Sequence, residues 1–156
     1  MKVLIVYDSV SPAKVTAMVA ENISGVLKKN GLEVDSVFVS NADKSAVKNY
    51  DCLIVGGPTM SFRVTPKIRQ FLDSLSSTES SGRMAAAFDT QIKGRFTANA
   101  TKGIEGKLKS LGFKLITAPL VAYVEGKLRQ NTWQLKEGEL AKTKEWAQEV
   151  SNTLKK

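Results

Sequence analysis

Lys2-Val3-Leu4-Ile5-Val6-Tyr7 is followed by Asp8-Ser9-Val10-Ser11-Pro12-Ala13-Lys14, and then by a helical pattern that reaches Asn30. The first segment is a near-continuous apolar run with β-branched residues, the pattern of a strand covered on both faces. From Val15 the apolar residues Val15, Met18, Val19, Ile23, Val26 and Leu27 recur at helical spacing, with Glu21, Lys28 and Lys29 off that face. Asn30-Gly31 ends the helix, glycine suiting the left-handed position beyond a helix C-terminus. A buried strand, a short polar loop and a helix N-terminus form the junction where open α/β sheets hold anionic ligands.

The same alternation continues along the chain. Residues 32–39 read as a second strand, partly alternating and therefore near an edge, and residues 40–50 leave room for one or two helical turns. Asp51-Cys52-Leu53-Ile54-Val55 is the most apolar strand, placed centrally, and it stops at the turn signal Gly56-Gly57-Pro58-Thr59. Thr65 is expected to cap a helix with Pro66 at its first position, burying Ile68, Phe71, Leu72 and Leu75. Residues 76–82 read as a polar loop. Arg83-Met84-Ala85-Ala86-Ala87-Phe88 is a fourth strand whose small side chains allow close helix packing, and Asp89-Thr90-Gln91-Ile92-Lys93-Gly94-Arg95 follows as a polar loop. A helix from about Thr97 to Leu111 turns Ile104, Leu108 and Leu111 inward, and Gly112 ends it. Residues 113–118 and 120–124 make a fifth strand interrupted at Pro119. Trp133 lies in a long loop and is expected to pack, and a last helix over 139–154 buries Leu140, Trp146, Ala147 and Val150.

Strands alternating with helices, with no repeat and no break, predict one α/β domain over residues 1–156: a parallel sheet with helices on both faces. Ligands of such sheets sit at the carboxyl ends of the strands. The segments to examine are therefore residues 8–14, 56–63 and 89–95.

Composition narrows the chemistry. The chain has 156 residues, 42% of them apolar, enough for a substantial core. No apolar run approaches the roughly 20 residues needed to span a bilayer, and no signal-peptide pattern opens the chain, so a cytoplasmic protein without membrane insertion is expected. Without histidine, and with Cys52 as its one cysteine inside an apolar run, the sequence lacks the parts of a zinc site, and Cys52 reads as a buried, inert thiol. The formal net charge is +8. Such a charge suits an acidic partner or loose attraction to nucleic acid, but the basic residues are dispersed and lack the aromatic interleaving of single-strand binders, so a solvated basic surface is the plainer reading and no specific nucleic acid is implied.

Motifs exclude further classes. There is no glycine between Met1 and Gly25, which removes the dinucleotide fingerprint. No ATP-type phosphate loop and no Gly-x-Ser-x-Gly elbow occur. The third strand ends on Gly56-Gly57 rather than on the aspartate of a phosphoacceptor receiver.

What remains resembles the flavodoxin family, in its short-chain branch. Tyr7-Asp8-Ser9 leading into a polar loop and helix resembles the family's phosphate loop, Val55-Gly56-Gly57-Pro58-Thr59 its second flavin loop, and Ala87-Phe88-Asp89-Thr90 the approach to its third. The resemblance covers essentially the whole chain, including Leu111-Gly112-Phe113. It implies a three-layer sandwich with a five-stranded parallel sheet of order 2-1-3-4-5, FMN as cofactor, and electron transfer with a protein redox partner, here an acidic one. It places the phosphate near Ser9, Val10, Ser11, Ala13 and Lys14, and the flavin ring near Pro58, Thr59, Met60, Ser61 and Phe62. Asp89, Thr90, Gln91 and Gly94 fall at its far edge. Phe62 reads equally as a ring-stacking residue or as a staple of the following helix. Arg63, Lys93 and Arg95 are expected near the ring, where cations stabilise an anionic reduced flavin. No catalytic residue is implied. Two other readings stay open: an FMN-dependent NAD(P)H:quinone-type reductase, and an interaction module that has lost FMN.

The departure from the family lies in the first loop, where Ser11-Pro12-Ala13-Lys14 replaces the usual Thr/Ser/Tyr-Gly-Asn/Ser-Thr. Pro12 has no N–H to offer, and Ser11-Pro12 is also an ordinary N-cap followed by proline at the first helical position. The substitution Pro12→Gly restores a donor and backbone freedom. It is expected to tighten FMN binding, measured by fluorescence titration; unchanged or weaker binding would mean that the loop does not meet the phosphate this way.

Overall fold

The computed structural model describes residues 1–10, 13–60, 63–94, 100–126 and 132–156. In chain order these form β1 (Lys2–Tyr7), α1 (Val15–Lys29), β2 (Glu33–Phe38), β3 (Cys52–Pro58), α2 (Pro66–Asp73), α3 (Ser77–Ser80) and β4 (Met84–Ile92). They continue with α4 (Ala100–Ser110), β5 (Lys114–Leu115), β6 (Leu120–Glu125), β7 (Gln134–Leu135) and α5 (Glu139–Leu154). Two 3-10 segments, Val39–Asn41 and Lys44–Asn49, fill the expected short helical stretch before β3.

The strand order is β2-β1-β3-β4-β6-β7, with β5 also paired to β4. β1 alternates its side chains between two cores. Val3 and Ile5 join one core with Ile54, Ala86, Phe88 and the inner faces of α1 and α5; Leu4 and Val6 join the other with Val55, Ala87 and residues of α2 and α4. This two-sided burial is why β1 reads as a continuous apolar run rather than an alternating one. Cys52 is buried, and desolvation pushes its thiol up to about 12, which makes it inert.

The fifth strand runs along β4 in two pieces. β5 pairs with Met84 and Ala85, and β6 with residues from Phe88 to Ile92. At the break, the Ala118 carbonyl accepts a 2.8 Å hydrogen bond from the Trp146 indole N–H of α5, replacing a ladder partner. The sheet also carries β7, antiparallel to β6. The expected parallel order 2-1-3-4-5 is the one observed, with the fifth strand in two pieces, and β7 is an antiparallel addition at its edge, which makes seven strands among the described residues. β7 lies along the edge of β6 inside what reads in sequence as a loop, pairing Leu135 with Val124 and Gln134 with Glu125.

Other differences are local. α3 occupies part of the segment expected to be a loop. Met18 and Leu140, placed on buried stripes by periodicity, are exposed. α1 starts at Val15, with its N-cap at Lys14 in the left-handed region (φ 52°) and without a side-chain cap. The reading of Ser11-Pro12 as cap and first helical residue falls on residues that lie outside the described ones. Pro66 does open α2, but the Thr65 hydroxyl makes no capping bond. Among the described residues no helix is long and apolar enough to cross a membrane.

Gly56 and Gly57 belong to β3 rather than to a turn. A Cβ on Gly56 would lie 2.2 Å from the Phe88 ring, so glycine is required there by the packing of the neighbouring strand. Gly56→Ala is expected to lose about 1–3 kcal/mol in urea unfolding, the usual cost of overpacking. Combining it with Phe88→Leu should recover part of that loss. Simple additivity of the two would show that they do not share the space.

Candidate functional site

A cavity of about 310 Å³ opens at the carboxyl ends of the central strands, lined by Val10 after β1, Val15 and Thr16 of α1, Pro58, Thr59 and Met60 around the end of β3, Thr90, Gln91 and Ile92 of β4, Val124 of β6, and Trp133. Its size falls within the range of small-ligand sites. The strand order reverses beside β1, so this is the position that an open α/β sheet offers for binding. The mouth is apolar: Val10, Met60 and Ile92 are 52%, 47% and 59% exposed. Isolated exposed apolar residues need no explanation, but three around one cavity mark a ligand or partner surface.

The floor is polar and internally bonded. Thr16 Oγ1 and Thr90 Oγ1 share a 2.7 Å hydrogen bond that ties α1 to β4. The Thr59 hydroxyl donates to Asp89 Oδ2 at 2.8 Å and accepts from the Ala100 N–H at the start of α4 at 2.9 Å. Gln91 Nε2 donates to the same Asp89 oxygen at 3.0 Å. Asp89 Oδ1 has no partner among the described residues. Burial raises the Asp89 carboxyl from its ordinary value of 3.8 to about 6, against the opposing hydrogen bonds from Thr59 and Gln91 and the amides of Ala100 and Thr101.

The first loop offers donors as well. The Ser9 hydroxyl is buried and has no partner among the described residues. The Ser9 N–H is turned away, donating to Asp8 Oδ1 at 2.9 Å. The first turn of α1 carries no acidic residue, and its leading N–H groups have no carbonyl four residues back within the helix. Lys14 is the only non-glycine residue with positive φ among the described residues, a strain typical of ligand loops.

Six of the residues expected at the site line the cavity: Val10, Pro58, Thr59, Met60, Thr90 and Gln91. Asp89 lies against Thr59 and Gln91 without lining it, and Ser9 precedes Val10. Ala13, Lys14 and Gly94 are exposed and outside the lining. Ser11, Ser61 and Phe62 lie outside the described residues. Asp89, Thr90 and Gln91 are strand residues of β4, not a loop, because their ladder to Gly57, Pro58 and β6 extends past Phe88.

Sequence reasoning missed Thr16, Ile92 and Val124, took Val15 only for its backbone amide, and favoured packing over shielding of the site for Trp133, which lines the cavity. A threonine in the first turn of α1, beside the ligand loop, is the signal that could have found Thr16. Among the described residues no cluster of three potential ligands could hold a metal ion.

Neither a protein-family model nor a curated protein matches this sequence. Solved structures do match. A flavodoxin from the domain Archaea superposes with a TM-score of 0.80 over 100% of both chains at 18% identity. Flavodoxin 1 from Bacillus cereus gives 0.78 over 97% of this chain and 98% of its own, also at 18% identity. A rubredoxin oxygen:oxidoreductase from Desulfovibrio gigas gives 0.79 at 19% identity, covering 99% of this chain but 36% of its own. The chain has the flavodoxin-like fold.

The raised carboxyl of Asp89 has a stability consequence. Between pH 3.8 and about 6 the folded protein binds more protons at this site than the unfolded chain does, so its contribution to stability falls as pH rises through that window and is fully lost above it. The cost is up to about 3 kcal/mol. Urea unfolding at pH 4, 5, 6 and 7 is expected to show this decline in the wild type and a flatter profile in Asp89→Asn. Identical profiles would place the ionised carboxylate in a better-solvated setting.

Proposed function

We propose that this chain binds FMN and serves as a flavodoxin-like electron carrier, exchanging electrons with an acidic redox protein. The observation that carries the reading is the cavity at the strand ends, with its bonded polar floor and the exposed apolar mouth of Val10, Met60 and Ile92. A flat, partly exposed ring fits that combination. The unpartnered Ser9 hydroxyl and the open first turn of α1 fit a phosphate, with Lys14 as a neighbouring cation. Bound FMN supplies the electron-transfer chemistry; the chain binds it, orients it and leaves one edge accessible.

Charge supports the partner class. Lys14, Arg63 and Lys93 are exposed around the strand ends, and none of them forms an ion pair among the described residues. Lys93 Nζ instead lies 5.5 Å from the Tyr123 ring centre. A cationic rim on a protein of net charge +8 favours an acidic partner, with association that weakens in salt.

A second reading is an FMN-dependent reductase passing hydride from NAD(P)H to a small acceptor such as a quinone. It is favoured by a hollow of about 220 Å³ that shares Ile92, Val124 and Trp133 with the main cavity.

The test is the visible spectrum after FMN is added and the protein desalted. Retained flavin bands are expected; a colourless protein at micromolar FMN points instead to an interaction module. Ser9→Ala should weaken FMN binding about tenfold or more, the worth of a hydrogen bond to a charged group, and leave the weaker binding of riboflavin unchanged. Equal losses for both ligands would remove Ser9 from the phosphate. Turnover of NAD(P)H with a quinone would favour the reductase.

A further inference from the structure

Two of the polar side chains lining the cavity, Thr59 and Gln91, converge on one oxygen of Asp89, a residue that does not itself line it. Asp89 is fully buried and Gln91 is 7% exposed. An ionised carboxylate only accepts hydrogen bonds, so the amide nitrogen of Gln91 must face Asp89. The Thr59 hydroxyl is committed in both roles, donating to Asp89 and accepting from Ala100. Gln91 lines the cavity, and with its nitrogen on Asp89 its carbonyl oxygen Oε1 is the acceptor that the side chain has left to offer there.

We propose that Asp89 is a positioning residue that holds Gln91 as a hydrogen-bond acceptor toward the cavity, so that the site selects a flat ligand whose edge carries an N–H donor, and that protonation of Asp89 reverses this preference. The inference rests on the FMN reading, since the flavin ring carries one imide N–H on its edge. The reversal follows from donor bookkeeping. A proton on Oδ1 is a buried donor with no acceptor among the described residues, whereas on Oδ2 it meets the Gln91 carbonyl once the amide turns over. The amide nitrogen then faces the cavity.

The surroundings leave this balance to Asp89 itself. Its sheet neighbours are Gly57 and Val121. On the same sheet face the nearest acid is Asp8, beyond Gly57. Tyr123 pairs with Gln91 on β6, with Lys93 and Lys142 over its ring, and Lys102 in the first turn of α4 is exposed. From α2, Thr65 at the N-cap is the side chain nearest Gly57 besides Ile68. Burial and hydrogen bonds, not an ionised side chain, set the protonation of Asp89.

The experiment compares dissociation constants of FMN and N3-methyl-FMN, read from flavin fluorescence, at pH 7.5 and pH 5. Their ratio cancels the titration of the phosphate, and the change of that ratio between the two pH values cancels the bulk of the methyl group. At pH 7.5 the methylated flavin is expected to bind at least about tenfold more weakly, and the ratio to narrow several-fold at pH 5. In Asp89→Asn, whose carbonyl still accepts from Gln91 without titrating, the ratio should stay high at both pH values. Gln91→Leu should lower it while FMN still binds, with circular dichroism confirming that each variant is folded. A wild-type ratio independent of pH, or a pH dependence that persists in Asp89→Asn, overturns the proposal. If neither flavin binds the wild type, the FMN reading fails and this inference with it.

Discussion

The Phe88 ring occupies the space that a side chain on Gly56 would need. That contact lets β3 and β4 run side by side to their carboxyl ends, and the register it accompanies puts Gly57 beside Asp89 and Pro58 beside Thr90. The chain leaving β3 is then held by the Thr59 N–H on the Thr90 carbonyl, 2.9 Å away. Thr59 thus reaches Asp89, and Thr90 reaches Thr16 of α1. The polar floor of the cavity depends on the close approach of these two strands.

The site is built in two layers with opposite character. Beneath, hydroxyl, amide and carboxyl groups bond to one another away from water, where a hydrogen bond is stronger and an unmade one, such as that of Asp89 Oδ1 among the described residues, costs more. Above, Val10, Met60 and Ile92 leave apolar surface open, and Lys14, Arg63 and Lys93 are exposed in the segments that follow the strands. Asp89 is the strained member: it stabilises the positions of Thr59 and Gln91, and its burial penalises its own charge.

Much of this was legible in the residues. The central place of β3 and the near-edge place of β2 were recoverable because β3 is apolar on both faces while β2 partly alternates; the full strand order came from the resemblance to a known family. Gly31 and Gly112 have positive φ just past α1 and α4, as their helix ends require. The cavity-lining residues Thr59, Met60, Thr90 and Gln91 followed from their place after strands. What failed had identifiable causes. Asp89, Thr90 and Gln91 look like loop because they are polar, yet β6 pairs with all three and β3 with Asp89 and Thr90. Gly56-Gly57 resembles a turn signal, yet Gly56 answers to the Phe88 ring. Met18 and Leu140 obey helical period but lie at the margins of their helices' buried faces.

The sequence by itself determined the class of fold, the side of the sheet where a ligand belongs, and the absence of histidine and disulfide chemistry, because these depend on local periodicity and on which residue types are present. Only the tertiary structure decided which side chains meet there. Thr16 and Trp133 enter the cavity, and Asp89 joins Thr59 and Gln91, through contacts between residues far apart in the chain. No local pattern encodes those contacts, since strand register and helix packing set them together.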